Sequence, residues 1–261
     1  RLSPAHRVVL ALLLASAFVV MLNETIVGVA LPTIMKDLGL DPVTGQFLVT
    51  AYMLTMAVVI PLTGFLMKRF TTRAVFIGAI SLFVAGTAVG GAATLLPVSA
   101  QFGVLLLARV LQAAGTGVMT PLLMTSIMTL VPPARRGVMM GLIGVVISVA
   151  PVLGPLAGGV IVTYLPWPAL FVIVLPLGVI ALLLGIWRMA DITETSRVQV
   201  DVLSVILSIF AFGGLIYGLS TFGDRVDDRE QLAPWVPILV GLVALGLFVW
   251  RQLRLQRTDS A

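Results

Sequence analysis

Long apolar runs occupy most of the chain, and short polar or proline-rich segments separate them. Each run is close to or longer than the ~20 residues that an α-helix needs to cross the hydrocarbon core of a bilayer. The pattern predicts eight spans, at residues 8–32, 44–67, 74–96, 102–131, 138–164, 169–187, 202–222 and 234–250. The sequence therefore indicates an all-α integral membrane protein with about eight transmembrane helices.

Basic residues lie in the segments between the runs, and they favour one side of the membrane. That side receives twelve of the sixteen Lys and Arg residues and the other side receives three, while Arg109 falls inside a span. Because cytoplasmic loops are enriched in Lys and Arg, this bias predicts a multi-pass plasma-membrane protein with both termini in the cytoplasm. The net charge of +5 thus reflects topology, and no nucleic-acid partner is indicated. We expect the acidic outer loop at 223–232 to be an ordinary solvated loop.

The composition excludes several kinds of chemistry. The chain has no Cys, and its single His, His6, lies outside the spans, so thiolate nucleophiles and Cys- or His-based metal sites are excluded. An intramembrane hydrolase is disfavoured because the only carboxylate well inside a span has no second acid beside it. We expect neither a metal nor a cofactor, and no enzymatic activity.

Two charged residues, Glu24 and Arg109, fall well inside spans one and four. Each would cost roughly 2.5 to 3.5 kcal/mol at a helix centre, so such charges face a cavity or each other. Gln112 follows Arg109 by one helical turn, and Asn23 and Thr25 flank Glu24. We expect these residues to form a polar cluster in the outer half of the membrane, in which Glu24 exchanges a proton. A static pair that fixes helix packing is the alternative.

Span five combines two prolines with three glycines, namely Pro151, Gly154, Pro155, Gly158 and Gly159. Proline removes a backbone donor from a helix, whereas glycine permits a neighbouring helix to approach closely. A lone GxxxG is common in membrane helices, but this combination is not. It predicts a bent and tightly packed helix.

Three of these stretches resemble the major facilitator superfamily, and within it the fourteen-helix drug:proton antiporters of the EmrB/QacA type. LNETIVGVALP is similar to the family's D-x-T-I-V-N-V-A-L-P, with Asn23 at the position of the acid and Glu24 one place later. RVLQAAGTG matches R-x-x-Q-x-x-G-x-G through Arg109 and Gln112, and the family's Arg is linked to proton coupling. APVLGPLAGG resembles the signature that marks antiporters, where the bend is thought to seal one half against leakage.

A fourth stretch, GFLMKRFTTR after span two, resembles the family's gating loop G-x-L-a-D-R-x-G-R-R but departs from it. Gly64, Arg69 and Arg73 fit the pattern, whereas Lys68 replaces the Asp and Thr71 replaces the Gly. The family's Asp belongs to a charge lock between two halves, so a substitution of opposite sign bears on gating. PPARRG at 132–137 also resembles a family loop, with an ordinary basic turn as the alternative.

The resemblance implies a proton-coupled multidrug efflux transporter whose partners are small hydrophobic or cationic compounds, protons and the lipid bilayer. We expect an amino-terminal six-helix bundle at 1–189 and a linker with two further helices at 190–261, while the carboxy-terminal six-helix half is absent from this sequence. A second chain or further sequence could supply that half. The alternative is a truncated, non-transporting membrane protein or interaction module. Scattered aromatics such as Tyr52 do not identify the substrate.

Overall fold

The computed structural model describes residues 3–192, 202–223 and 235–259. Within these ranges the chain forms helices and no strand, which confirms the all-α prediction. The acidic residues of the predicted outer loop lie outside the described ranges. The helices are α1 Pro4–Leu38, α2 Pro42–Arg69, α3 Thr72–Ala92, α4 Val98–Leu130, α5 Pro133–Tyr164, α6 Ala169–Arg188, α7 Val202–Gly223 and α8 Trp235–Asp259, with a 3-10 turn at Ala93–Leu95.

Each predicted span coincides with one helix. Helices α1 to α6 are long and apolar enough to cross a membrane, and the described parts of α7 and α8 contain shorter apolar segments at Ile206–Leu215 and Trp235–Arg251. Helix α1 is longer than predicted because it continues through Pro32. It ends where Gly39 adopts a left-handed conformation with φ 62°, a conformation that glycine takes at little cost.

Helices α1–α6 pack against one another in pairs that bury the polar residues in the middle of α4. Helix α1 packs against α5, α4 packs against α2 and α3, and α3 also packs against α6. Glycine makes the α3–α4 contact close: a methyl group on Gly86 would lie 2.6 Å from the Ala108 carbonyl oxygen, and one on Gly115 would lie 2.9 Å from the Phe83 nitrogen. Because these two backbones touch, the side chains of the middle of α4 are held in the interior.

Helices α2 and α5 bury only narrow stripes. The buried residues of α5 are Ile143, Ala150, Gly154 and Gly158, and much of its remaining surface is apolar and exposed, as at Val152 and Leu156. Such a surface is stable against lipid or another apolar surface and not against water.

Helices α7 and α8 form a hairpin that packs on α2 through α7. The two helices cross at Gly214 and Gly241, where a methyl group on Gly214 would lie 3.0 Å from the Gly241 Cα atom. At the ends of α6 and α8, the guanidinium groups of Arg188 and Arg254 lie 5.6 Å and 5.4 Å from the rings of neighbouring tryptophans. Trp and Arg at span ends are typical of the membrane–water interface, and both ends belong to the side predicted to be cytoplasmic.

Candidate functional site

Arg109 of α4 lies in the interior of the six-helix bundle, where only 2% of it is exposed. Its guanidinium carbon lies 3.9 Å from the ring centroid of Tyr52 in α2. Its Nη1 donates to Oε1 of Gln112 at 3.2 Å, and its Nε donates to the Leu48 carbonyl at 3.5 Å. A ring face, a side-chain amide and a backbone carbonyl therefore hold the buried cation.

Hydrogen bonds extend this arrangement across three helices. The Tyr52 hydroxyl donates to Oγ1 of Thr116 at 2.9 Å, and Thr116 donates to the Gln112 carbonyl at 2.9 Å. Nε2 of Gln112 donates to Oγ1 of Thr87 in α3 at 3.0 Å. We call these five buried residues, Tyr52, Thr87, Arg109, Gln112 and Thr116, the Arg109 network. A buried polar network with its groups satisfied in this way fixes the positions of its members.

Glu24 of α1 lies beside the Arg109 network but is not bonded to it. The carboxylate interacts electrostatically with Arg109 and Tyr52. It is half-buried, and among the described residues it forms no hydrogen bond or direct ion pair. The structure thus brings Arg109 and Gln112 together and leaves the predicted acid nearby with its oxygens unengaged.

Asn23 occupies a different environment from Glu24, although the two are adjacent in the sequence. Asn23 is 1% exposed, and neither Oδ1 nor Nδ2 has a hydrogen-bond partner in the described part of the chain. Consecutive residues of an α-helix point about 100° apart, so Asn23 faces the interior while Glu24 faces the less buried side of α1. A carboxylate at position 23 would be buried without a donor, which is costly. In this chain the acid is at position 24 and not at position 23, so its carboxylate lies on the less buried side of α1.

Thr25 points to a third side of α1 and contacts α5. Its Oγ1 donates to the Leu22 carbonyl at 3.0 Å and reaches the Ala150 carbonyl at 3.5 Å. A methyl group on Gly154 would collide with this Oγ1 and lie 2.7 Å from the Thr25 Cβ atom, and one on Gly158 would lie 3.0 Å from the Ile26 carbonyl oxygen. These two glycines therefore form the α1–α5 contact.

The rest of the span-five motif lies outside that contact. A methyl group on Gly159 would meet no atom within 4 Å. Pro151 and Pro155 are exposed, and α5 remains one continuous helix through both of them. The motif is thus divided between residues that touch α1 and residues that face outward.

The predicted gating loop joins α2 to α3 and is tied to the end of α6. Lys68 and Arg69 form the last turn of α2, after Gly64, at which a methyl group would meet no atom within 4 Å. Thr71 accepts from the Ala74 N–H at 3.2 Å and so caps α3 in an extended conformation that needs no glycine. The Arg73 N–H donates to Oδ1 of Asp191 at 3.1 Å, and its Nη2 donates to the Ile186 carbonyl at 2.6 Å.

Arg136 of the PPARRG segment caps the end of α4. Its Nε donates to the Val131 carbonyl at 3.0 Å and its Nη2 donates to the Met128 carbonyl at 2.9 Å. A cation at the carboxy-terminal end of a helix satisfies free carbonyl groups and opposes the negative end of the helix dipole. This geometry favours the structural interpretation of the segment. Within the described ranges, no group of three or more His, Asp or Glu side chains is arranged to hold a metal ion.

Sequence reasoning found only part of the site. Arg109 and Gln112 are recognisable because they lie one turn apart in one apolar helix. Thr116, which the sequence analysis does not single out, carries the same signal, since it follows Gln112 by four residues within RVLQAAGTG. Tyr52 is not distinguishable in the sequence from the other scattered aromatic residues, and nothing in α3 distinguishes Thr87 from a helix-packing threonine.

These features, a bundle of apolar helices that encloses a cationic network beside a half-exposed acid, define a multi-pass membrane protein with a polar site inside its spans. The chain belongs to the Major Facilitator Superfamily, whose family model matches residues 13–257. The resemblance noted in the sequence is thereby confirmed. Since this is a family of transporters, the chain is not an enzyme.

Three of the relatives that the chain resembles are bacterial proteins. An uncharacterized MFS-type transporter, YcnB of Bacillus subtilis, is 45% identical over 96% of this chain and 51% of its own length. The lincomycin resistance protein LmrB of Bacillus subtilis is 39% identical over 94% of this chain and 50% of its own length. The putative multidrug resistance protein MdtD of Klebsiella pneumoniae is 33% identical over 88% and 46%. The chain spans about half the length of the curated relatives it matches.

Two solved structures share the fold. The human organic anion transporter MFSD10 (TETRAN) superposes with a TM-score of 0.62 at 18% identity, over 88% of this chain and 58% of the transporter. A D-xylose-proton symporter superposes with a TM-score of 0.61 at 14% identity, over 97% and 69%. At these identities the likeness concerns the fold alone.

Proposed function

We propose that the chain forms the amino-terminal bundle, at 1–189, and the linker hairpin, at 190–261, of a proton-coupled multidrug efflux transporter of the plasma membrane. The observation that carries this proposal is Glu24, a carboxylate within the spans that lies beside the buried Arg109 network without being bonded to it. The names of two relatives, a lincomycin resistance protein and a putative multidrug resistance protein, support the direction of transport.

Glu24 is the residue that exchanges ligands in this proposal. Its oxygens are engaged by no described residue, so either a proton or a cationic compound has access to the charge. Arg109 supplies a fixed positive charge nearby, and Gln112 orients it through the 3.2 Å hydrogen bond. A single negative charge does not hold a proton and a cation at once, so uptake of one releases the other. Asn23, one place earlier, holds no charge and stays inside the bundle.

The α1–α5 contact keeps this site closed from one side. Gly154 and Gly158 allow the α5 backbone to lie against Thr25 and Ile26. These two residues directly follow Glu24 in α1. Pro151, Pro155 and Gly159 lie outside this contact and shape the rest of the α5 surface. A tight contact at this point leaves no path for ions between the two helices.

The loop between α2 and α3 controls the rate of opening in this proposal. Arg73 ties the start of α3 to Asp191 and to the end of α6, so α3 and α6 move together. Lys68 and Arg69 lie where the family has a charge lock with an Asp. With Lys68 in that place, the lock must use another acidic partner or a different contact.

Alternating access requires two halves that move about a central site, so transport is proposed for a complete protein that holds a second half. That half would come from further sequence in the same reading frame or from a second chain. The alternative is a truncated membrane protein or interaction module that retains the fold without transporting. The efflux experiment described next distinguishes this alternative from the proposed transporter.

The test is ethidium efflux from intact cells that express either this chain alone or the complete reading frame, with and without a protonophore. We expect efflux from the complete frame and its loss when the protonophore collapses the proton gradient. Efflux that persists with the protonophore would contradict proton coupling. If neither version exports any of a panel of cationic and neutral compounds, the non-transporting alternative replaces the proposal.

A further inference from the structure

Tyr52 packs its ring against Arg109, which also interacts electrostatically with Glu24, and the family motifs do not explain this contact. We propose that Tyr52 is a positioning residue that holds Arg109 away from Glu24, so that the carboxylate remains available to protons and cationic compounds. This inference rests on the proposed function, because it assumes that Glu24 is the residue that exchanges ligands.

The contact between Tyr52 and Arg109 is close and rigid. Tyr52 is 1% exposed, and the guanidinium carbon lies 3.9 Å from its ring centroid. The ring is fixed in turn, because its hydroxyl donates to Thr116 at 2.9 Å. A cation over an aromatic face is attracted to it, most strongly where water is excluded, and both residues are buried.

Arg109 has an alternative partner that it does not use. A guanidinium group has five N–H donors in a planar fork that suits a carboxylate, and such pairs form the stronger kind of hydrogen bond. In the structure these donors engage the Gln112 side chain and the Leu48 carbonyl, while Glu24 is near enough for electrostatic interaction and remains unbonded. The ring of Tyr52 is the group that occupies the face of the guanidinium.

In the described part of helices α1 to α6, Arg109 is the only basic side chain that is not near a helix end. Helix α1 contributes Glu24, α2 contributes Tyr52 and α4 contributes Arg109. These three groups interact electrostatically with one another. Helices α3, α5 and α6 carry their charged residues only near their ends. If the ring were removed, Arg109 would be free to turn to Glu24, and a direct ion pair would then compete with protons and cations.

The experiment uses the protein encoded by the complete reading frame, purified in detergent. Tetraphenylphosphonium is the cationic probe and triphenylphosphine oxide is a neutral compound of similar shape. Tyr52→Leu removes the ring, Tyr52→Phe keeps the ring without its hydroxyl, and Tyr164→Leu removes an exposed tyrosine at the end of α5 as a matched control. Each variant is made with and without Glu24→Gln, and both probe affinity and probe-induced proton release are measured.

We expect Tyr52→Leu to weaken tetraphenylphosphonium binding about tenfold, which corresponds to about 1.4 kcal/mol, with less proton release and little change for the neutral probe. Tyr52→Phe should retain most of the wild-type affinity for tetraphenylphosphonium because the ring remains, and Tyr164→Leu should match the wild type. In the Glu24→Gln background, Tyr52→Leu should have no further effect. If Tyr52→Leu does not insert stably, Tyr52→Met removes the ring with a longer side chain and provides the same comparison.

Equal losses for both probes would show a merely structural role for Tyr52 and overturn the inference. A loss that persists in the Glu24→Gln background would do the same. If Glu24→Gln abolishes proton release while Tyr52→Leu has no effect, the role of Tyr52 fails and the proposed function stands. If Glu24→Gln leaves both proton release and cation binding unchanged, the proposed coupling site fails and the role of Tyr52 fails with it.

Discussion

We expect an added methyl group to destabilise the protein at one glycine of the α5 motif and not at another. Gly154 and Gly159 both belong to APVLGPLAGG, yet a methyl group on Gly154 would strike Thr25 and one on Gly159 would meet no atom within 4 Å. Thr25 has little room to yield, because a β-branched side chain is stiff at χ1 and its Oγ1 is bonded to the Leu22 carbonyl at 3.0 Å. We therefore compare Gly154→Ala with Gly159→Ala.

The magnitude follows from two opposed effects. Replacing Gly by Ala within a helix stabilises it by roughly 0.5 to 1 kcal/mol, and this is the whole effect expected for Gly159→Ala. Overpacking a close contact costs about 1 to 3 kcal/mol, and the collision with Thr25 places Gly154→Ala in the upper part of that range, at about 2 to 3 kcal/mol. Subtracting the helix gain leaves a net destabilisation of about 1 to 2.5 kcal/mol. Adding Thr25→Ala should restore only part of this loss, because the Thr25 Cβ atom at 2.7 Å remains.

The assay is thermal unfolding of the detergent-purified variants, followed by fluorescence. For a protein of this size, 1 kcal/mol shifts Tm by about 2 to 4 °C, so Gly154→Ala should lower Tm by roughly 2 to 10 °C while Gly159→Ala should leave it unchanged or raise it. Replacement of both Gly154 and Gly158 by Leu should abolish export by the complete protein without preventing insertion. Equal Tm shifts for the two Ala variants would refute the packing argument, and export that survives both Leu changes would refute the sealing role.

Two further predictions concern α1 and the topology. Asn23→Leu should leave Tm unchanged or raise it, because an unpaired buried polar group costs about 1 to 3 kcal/mol, whereas Asn23→Asp should lower it; a clear loss of stability in Asn23→Leu would show that the amide has a partner. Cys labelling should place Thr71 and Ala261 in the cytoplasm and Asp227 outside, as the bias of basic residues predicts. Labelling of Asp227 from the cytoplasm would contradict the eight-span arrangement.

The fold could be predicted from the sequence because each apolar run approaches or exceeds the length of a membrane span, and apolar runs of this length favour an α-helix over a β-strand. The end of α1 is an instructive exception. The prediction ended span one at Pro32, but proline interrupts only one backbone hydrogen bond and the helix continues to the left-handed Gly39. A helix end is set by such local geometry, which hydropathy does not record.

The site was less accessible to sequence reasoning because its contacts join different helices. The sequence predicts that Arg109 and Gln112 lie together because they are one turn apart in one helix, and a hydrogen bond joins them in the structure. The depth of Glu24 in the membrane predicts a polar cluster with Arg109 and Gln112, but depth does not fix the direction in which a side chain points around the helix axis. Whether Arg109 meets Glu24 or Tyr52 depends on how α1, α2 and α4 are rotated against one another, and this follows from packing across the whole bundle.

Glu24 exchanges a proton for a cationic compound in the proposed cycle, and substrate-induced proton release measures this exchange most directly. The complete protein, purified in detergent, is mixed with tetraphenylphosphonium at pH values from about 5 to 9, a range that brackets perturbed carboxyl groups. Asp37→Asn, which neutralises an exposed acid near the carboxy-terminal end of the same helix, serves as the matched control. We predict that the wild type and Asp37→Asn release protons, and that Glu24→Gln releases none while still binding a neutral compound. Undiminished release from Glu24→Gln would place the proton site elsewhere and leave Glu24 as a packing residue near Arg109.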